Sequence, residues 1–143
     1  MSSAIAAFGT LLKMGAGTGG TAETFTTIAE VGDIDGPSDS VDTIEVTNHS
    51  SSGARKEFVA GLIDSGEVSF PINWIPSNAT HDETTGLEYV KNQRAIRNFH
   101  IIFPDATQLA FEALVTKFAR KAPVADKLSA DITLKVSGAP TWS

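Results

Sequence analysis

Cysteine is absent from the 143 residues of the chain. Its absence excludes a disulfide framework, a zinc site built on cysteine and a thiol nucleophile. No apolar run approaches the roughly 20 residues of a membrane-spanning helix. The weakly apolar N-terminus lacks the basic first region and the length of a signal peptide. We therefore expect a soluble protein with no membrane partner, made in a cytoplasm.

Basic residues are scarce in the longer N-terminal part of the chain. Residues 1–90 carry 3 basic and 13 acidic side chains, residues 91–143 carry 8 basic and 4 acidic ones, and the formal net charge is −6. Proteins that grip nucleic acid by its phosphates need clustered lysine and arginine, so this balance argues against such binding. The asymmetry has two readings: faces of unlike charge dock onto one another, or the two halves interleave and cancel it.

Alternation of apolar and polar residues predicts a mainly β fold. In the segment 66–74, Val68, Phe70, Ile72 and Trp74 share one face, and Pro71 favours an edge strand because it donates no ladder hydrogen bond. The segment 128–136 alternates in the same way. Further strands are predicted at 8–14, 25–31, 41–47, 97–103 and 108–119, the last of which is apolar on both faces and is expected between two layers.

A single helix is predicted over residues 84–95. Thr85 and Glu88 have the spacing of a capping box, in which each side chain bonds a backbone amide of the first turn. Leu87, Val90 and Arg94 form one stripe. A helix this short needs a sheet to pack against.

Two segments show no sustained period. The glycine-rich segment 15–22 is predicted to be a flexible connector, and residues 47–64 an 18-residue loop. Loops of that length usually serve a function or are disordered. The apolar residues of the loop have two interpretations, a surface for a partner or a cover for the end of the core; they are Phe58, Val59, Leu62 and Ile63.

Motifs for chemistry are weak. Gly15–Gly20 has the letters of a dinucleotide fingerprint, but a strand follows it where a helix is required. Asp33, Asp35 and Asp39 lack the remaining ligands of a calcium loop, and a turn explains them more simply. The three histidines have no partners at spacings that force convergence. We therefore expect no catalytic, cofactor-binding or metal-binding residues.

The order of residues goes further than these patterns. Read in succession, the chain resembles the tail tube (major tail) proteins of long-tailed, non-contractile bacteriophages over nearly its whole length. The stretches that carry the resemblance are Gly9–Gly15, Phe25–Val31, Ile34–Pro37, Glu45–Thr47, Glu57–Phe58, Gly61–Leu62, Asp64, Gly66–Phe70, Ile102–Asp105 and Val136–Trp142.

The resemblance implies a structural virion protein rather than an enzyme. Members of that family are two-sheet β-sandwiches with one flanking helix, and they form hexameric rings in which strands join an intersubunit β-barrel. The rings stack into a hollow tail tube through which DNA passes without specific binding. Expected partners are other copies of the chain and the tape-measure, tail terminator and tip proteins. The expected location is the virion tail, after synthesis in the host bacterial cytoplasm.

This implication gives the unassigned segments a role. We expect one domain over 1–143, with an N-terminal arm at 1–14, an assembly loop at 47–64 that is disordered in the free subunit, and a C-terminal tail at 137–143. The expected inter-ring contacts are His49, Arg55, Lys56, Glu57, Phe58, Leu62, Leu11 and Leu12. Glu67 and Asp131 are expected to face an acidic bore that repels phosphates.

Two other functions remain open on the sequence. A β-sandwich binding module, such as an adhesin or carbohydrate-binding domain, needs an exposed aromatic platform, for which only Trp142 is free. A small metal-dependent hydrolase would use His81, Asp82 and Glu83.

Overall fold

A computed structural model describes residues 4–15 and 24–142. Residues 16–22 of the glycine-rich segment, and with them all of the dinucleotide-like motif except Gly15, lie outside the described residues. The elements in chain order are β1 (Leu11–Gly15), β2 (Phe25–Thr27), β3 (Ser40–Glu45), β4 (Phe58–Asp64), β5 (Glu67–Asn73), α1 (Leu87–Gln93), β6 (Arg97–Ile102), β7 (Gln108–Lys121) and β8 (Ser129–Trp142). Among the described helices, none is long and apolar enough to cross a membrane.

The strands form two antiparallel sheets. The large sheet has six strands in the order β2-β1-β6-β7-β8-β5, and the small sheet pairs β3 with β4. The predicted mainly β class, with two sheets and one helix in the described chain, is confirmed. Pro71 lies on β5 at an edge of the large sheet, as its missing donor indicated.

The large sheet is strongly curled. Ile28 donates its N–H to Leu12 on β1, and two residues later Glu30 accepts from the N–H of Asn73 at the end of β5. Two residues span at most about 7 Å, whereas four strand spacings separate β1 from β5, about 19 Å in a flat sheet. The segment from β2 onward therefore draws the two edges together, through isolated bridges rather than a continuous ladder.

The core fills the inside of this curl. It is built from alternate residues of β1, β5, β6, β7 and β8, with Leu87 and Val90 of α1 packed against them. The connecting segments add Ile28, Val31, Ile34 and Trp74. The small sheet contributes no residue to this core, so α1 and the connecting segments cover the large sheet.

Strand β7 differs from its prediction. It has one buried face, and its alternation is reset by a bulge between Val115 and Lys117. The extra residue returns Phe118 to the buried face that Val115 already occupies. The shift in period accounts for Phe118 in the apparent two-sided apolar pattern, and Leu114 is a half-buried apolar residue on the other face.

The helix is shorter than predicted, and its cap is different. Its N-cap is Gly86, without a side-chain cap bond, so the capping box of Thr85 and Glu88 does not form. Asp82 takes the role instead, because its carboxylate accepts from the backbone N–H groups of Thr85 and Gly86. Those bonds, that of Thr85 first, hold the pKa of Asp82 below its ordinary value. The helix ends at Arg94, which is left-handed with φ 53°.

Three of the expected segments also differ. Residues 137–142 of the expected C-terminal tail continue strand β8 and pair with β7. Residues 58–64 of the expected 47–64 loop form strand β4, which pairs with β3, so the segment is one arm of a hairpin and not a loop along its whole length. Residues 11–14 of the expected N-terminal arm form most of β1, inside the large sheet. Leu12 is 1% exposed because it points into the core.

Candidate assembly surfaces

The hairpin of β3 and β4, residues 40–64, projects from the rest of the subunit. Every residue of β3 is exposed, and in β4 only Gly61 is partly covered. The six residues of β3 span about 20 Å. The hairpin is therefore a finger with both of its faces open.

Apolar side chains cover much of this finger. Ile44 lies directly opposite Val59, and Val46 follows Ile44 by two residues on the same face. Leu62 is 84% exposed. The hypothesis that Phe58 and Leu62 cover the end of the core is wrong, because both side chains face solvent. Exposed apolar surface of this extent usually marks a contact site.

The tip of the finger is held in shape by its own hydrogen bonds. The side chain of Asn48 accepts from the N–H of Ser50 at 2.8 Å, and the hydroxyl of Ser51 donates to the carboxylate of Glu57 at 2.8 Å. The N–H of Glu57 donates to the hydroxyl of Thr47 at 2.8 Å. These bonds shape the turn that carries Arg55 and Lys56. In the sequence these two are the only lysine or arginine residues between positions 14 and 90.

The root of the finger is fixed to the large sheet. Lys135 of β8 contacts Asp64 at 3.0 Å. The pKa of Asp64 lies below its ordinary value because its carboxylate accepts from the N–H of Gly66 and pairs with Lys135. Gly66 has a φ of 77°, and a Cβ there would lie 2.0 Å from the carbonyl oxygen of Ser38. Only glycine suits this corner between β4 and β5.

The outer face of the large sheet is formed by the side chains that alternate with the core residues. Glu67 and Asp131 both lie on it, so the structure brings the two expected bore residues to one surface. The surface is not acidic, however. Glu67 is paired opposite Lys135, and Asp131 contacts Lys121 at 2.9 Å. The described outer face carries four lysines, which are Lys13, Lys117, Lys121 and Lys135, against the carboxylates Glu67, Glu112 and Asp131.

The outer face carries similar numbers of positive and negative charges because the two halves of the chain interleave in the sheet. β1 and β5, from the acidic half, pair with β6 and β8, from the basic half. Of the two readings of the charge asymmetry, the structure favours cancellation over most of the sheet. The hairpin is the exception, since both of its strands come from the acidic half.

An apolar groove of about 910 Å³ opens at the end of the subunit where β6 turns into β7. Three stretches line it, at 5–10, 31–36 and 101–107, together with Trp142 from the end of β8. The Trp142 ring stacks on Phe103 with centroids 6.0 Å apart, and Phe8 is 97% exposed. The carboxylates of Asp33 and Asp105 lie in its lining, which contains no basic residue. No pattern in the sequence indicates this groove.

The expected inter-ring residues fall into two groups. The hairpin brings together His49, Arg55, Lys56, Glu57, Phe58 and Leu62. Leu11 lies apart from them on β1 and is exposed, whereas Leu12 is buried in the core. Leu12 therefore has no free surface with which to contact a neighbouring ring.

The site that the alternative hydrolase function would need does not form at His81. His81 is fully buried, its Nδ1 accepts from the N–H of Ile75 at 3.1 Å, and its Nε2 is 2.7 Å from the carbonyl oxygen of Ala29. Neither ring nitrogen is free for a metal ion or a proton transfer. Over the described stretches, no group of three metal-ligating side chains comes together.

Trp74 likewise does not supply the exposed aromatic platform that a carbohydrate-binding module needs. Its ring packs edge-on to Phe118 at 6.2 Å and lies under the guanidinium of Arg120 at 5.6 Å. Arg120 in turn pairs with Glu88 of α1. Trp74 is thus part of the packing between the helix and β7.

Comparisons with known proteins identify a family and a fold. A family model described as "Lambda phage tail tube protein, TTP" matches residues 16–143. A search of curated proteins found no match. Among solved structures, the chain is similar to the tail of an empty gene transfer agent (GTA) particle with C6 symmetry. The identity is 20% and the TM-score 0.73, and the match covers 93% of this chain and 94% of the other.

Two further structures share the fold. One is the virion of a native gene transfer agent particle, at 19% identity and a TM-score of 0.72, covering 94% of this chain and 95% of the other. The other is the sheath/tube terminator of PVC, an extracellular contractile injection system, at 15% identity and a TM-score of 0.73, covering 99% and 98%.

Proposed function

The chain belongs to the lambda phage tail tube protein family, and from that membership we propose that it forms hexameric rings that stack into the hollow tail tube of a non-contractile phage or phage-like particle. Its role in a tail tube is structural. The observation that carries the proposal is the apolar hairpin, a finger that no other part of the described chain covers. The C6 symmetry of the similar GTA tail supports six subunits in a ring.

In this proposal the single domain assembles through the hairpin and the outer face. The large sheets of six subunits stand side by side around the bore as an intersubunit β-barrel, with the outer face lining it. A bore surrounded by the sheets of six subunits is wide enough to hold water, so it accepts polar side chains. The hairpin and the segment before β1 contact neighbouring subunits. The contact is heterologous, so it propagates along the stack instead of closing on itself.

The passage of DNA follows from the charges on the outer face. Each lysine that pairs with a carboxylate of its own subunit is less available to a phosphate, so DNA slides past without being held. We propose no catalytic role for the chain. The tape-measure, terminator and tip proteins of the tail are its further partners, and the protein resides in the virion tail after synthesis in the host cytoplasm.

The direct test is negative-stain electron microscopy of the purified chain at rising concentration. We expect stacked rings or hollow tubes, with sixfold symmetry in end-on class averages. A protein that stays monomeric at every concentration, as measured by sedimentation in parallel, would contradict the proposal.

The bore assignment has a test of its own. Replacing Glu67→Lys and Asp131→Lys together leaves six lysines and one carboxylate on the outer face of each subunit. We expect tubes that still form but now retain short DNA fragments in co-sedimentation at low salt, and release them as salt rises. The matched control is Glu83→Lys with Asp126→Lys, which changes the net charge equally at exposed sites outside that face. Equal retention by both variants would show that the outer face does not line the bore.

A further inference from the structure

The exposed apolar surface of the subunit is concentrated in two places. Of the fifteen large hydrophobic residues that are exposed in the described chain, seven lie on the hairpin, and three line the groove at the opening of the curl. The hairpin is convex and the groove concave. A soluble subunit gains by covering such surfaces, and each of these two has the shape that the other requires.

The groove has room for part of a hairpin. Its volume of about 910 Å³ is in the range in which proteins enclose whole ligands. Phe103 and Trp142 form one wall, and Val31 and Ile34 belong to another. A side chain such as Phe58 would find apolar contacts there that it lacks in the free subunit.

The charges of the two surfaces are opposite. Asp33 and Asp105 lie in the groove without a basic neighbour in its lining. The carboxylate of Asp105 accepts from the hydroxyl and the N–H of Thr107, which lower its pKa and keep it charged. Arg55 and Lys56 stand at the tip of the hairpin. Opposite charges at the rim of an apolar contact fix its register and exclude other partners.

We propose that the hairpin of one copy docks into this groove of a second copy, with Phe58 on the apolar wall and Arg55 and Lys56 at Asp33 and Asp105. This inference rests on the proposed function and adds the receiving surface that the hairpin requires. Because finger and groove are different surfaces, the contact is heterologous and repeats from copy to copy.

The first test is cross-linking, for which the absence of cysteine gives a clean background. Arg55→Cys protein is mixed with Asp33→Cys protein under assembly conditions and treated with a short bismaleimide. We expect a cross-linked heterodimer on a denaturing gel from this mixture. The control mixture pairs Arg55→Cys with Asp126→Cys, an exposed position outside the groove. Equal yields from the two mixtures, or none from either, would overturn the inference.

The second test exchanges the charges. Arg55→Glu with Lys56→Glu is expected to raise the concentration needed for assembly by about tenfold or more, because like charges then meet at the rim. Asp33→Lys with Asp105→Asn should raise the concentration needed for assembly in the same way. Asparagine is chosen at position 105 because its side-chain oxygen can still accept the hydrogen bonds from Thr107. Combining all four substitutions in one chain should restore assembly. Combining the hairpin pair with Glu83→Lys and Asp126→Lys should not.

The outcomes separate this inference from the proposed function. Tubes that are lost with the hairpin pair and not recovered with the groove pair mean that the hairpin docks elsewhere, and the groove assignment fails alone. A wild-type chain that never assembles counts against the proposed function. Tubes that form normally from both charge variants overturn the docking and leave the tube itself intact.

Discussion

Deletion of Ser50–Lys56 should leave a folded subunit that forms no tubes. The deletion removes both basic residues of the hairpin tip and the turn that holds them. Strands β3 and β4 stay paired through Glu45 and Phe58, since the residues that remain between them are enough for a short hairpin loop. The core has no contact with the deleted residues, so its stability is expected to be unchanged. Electron microscopy measures the first effect, and urea unfolding followed by circular dichroism the second.

A matched control shortens a different exposed turn. The connection between β7 and β8 spans residues 122–128, and removing Pro123–Asp126 leaves a three-residue turn of a common kind. We expect this variant to fold and to form tubes. Normal tubes from the hairpin deletion would refute the assembly role of the tip. Unfolding of the deleted variant would show instead that the hairpin stabilises its own subunit.

Much of the large sheet is readable from the sequence because one of its faces is buried. In β5 and in the first half of β8 the buried residues alternate with polar ones, so β5 and the start of β8 are predicted at nearly their observed positions. Strand β8 runs on to Trp142 through residues that do not alternate, and that part is not predicted. In β7 the bulge shifts the alternation by one residue. A period-two pattern contains no mark of where such a shift occurs, so the strand looks apolar on both sides.

Strand β3 of the hairpin is predicted, at 41–47, whereas strand β4 escaped prediction for the opposite reason. Strand β4 is apolar at Phe58 and Leu62 and again at Val59 and Ile63, so no alternation identifies it as a strand. Alternation requires one face packed on a core and one in water, and this hairpin has no core beneath either face. The same property that hid the strand makes it a contact surface in an assembly.

The groove and the charge pattern depend on contacts between distant parts of the chain. Four separate stretches meet at the groove, and no short segment carries a signal for their meeting. The acidic first half predicts an acidic bore only if each half keeps to its own surface. The antiparallel pairing of β5 with β8 places Glu67 beside Lys135 instead. Pairing of this kind follows from topology, which composition does not encode.

The largest effect on stability is expected from His81→Ala. The side chain is 0% exposed and holds two backbone groups, the N–H of Ile75 and the carbonyl of Ala29. The bond from Ile75 requires Nδ1 to be the acceptor, so Nε2 carries the proton and the ring is neutral. Removing the ring opens a cavity and leaves both groups unsatisfied, at a cost of about 3–5 kcal/mol. That is a large part of the roughly 5–15 kcal/mol that stabilises a typical domain.

His81→Phe separates the two contributions to this loss. Phenylalanine fills most of the space but makes neither hydrogen bond, so we expect it to destabilise by about 1–3 kcal/mol. His49→Ala, at the exposed hairpin tip, is the matched control and should stay within about 0.5 kcal/mol of wild type. Urea unfolding measures all three. A His81→Ala protein as stable as the control would show that the two hydrogen bonds of His81 do not stabilise the fold. Ala29 lies two residues before residues 31–36, which line the groove. Loss of the hydrogen bond between His81 and Ala29 should therefore also weaken assembly under conditions in which the subunit remains folded.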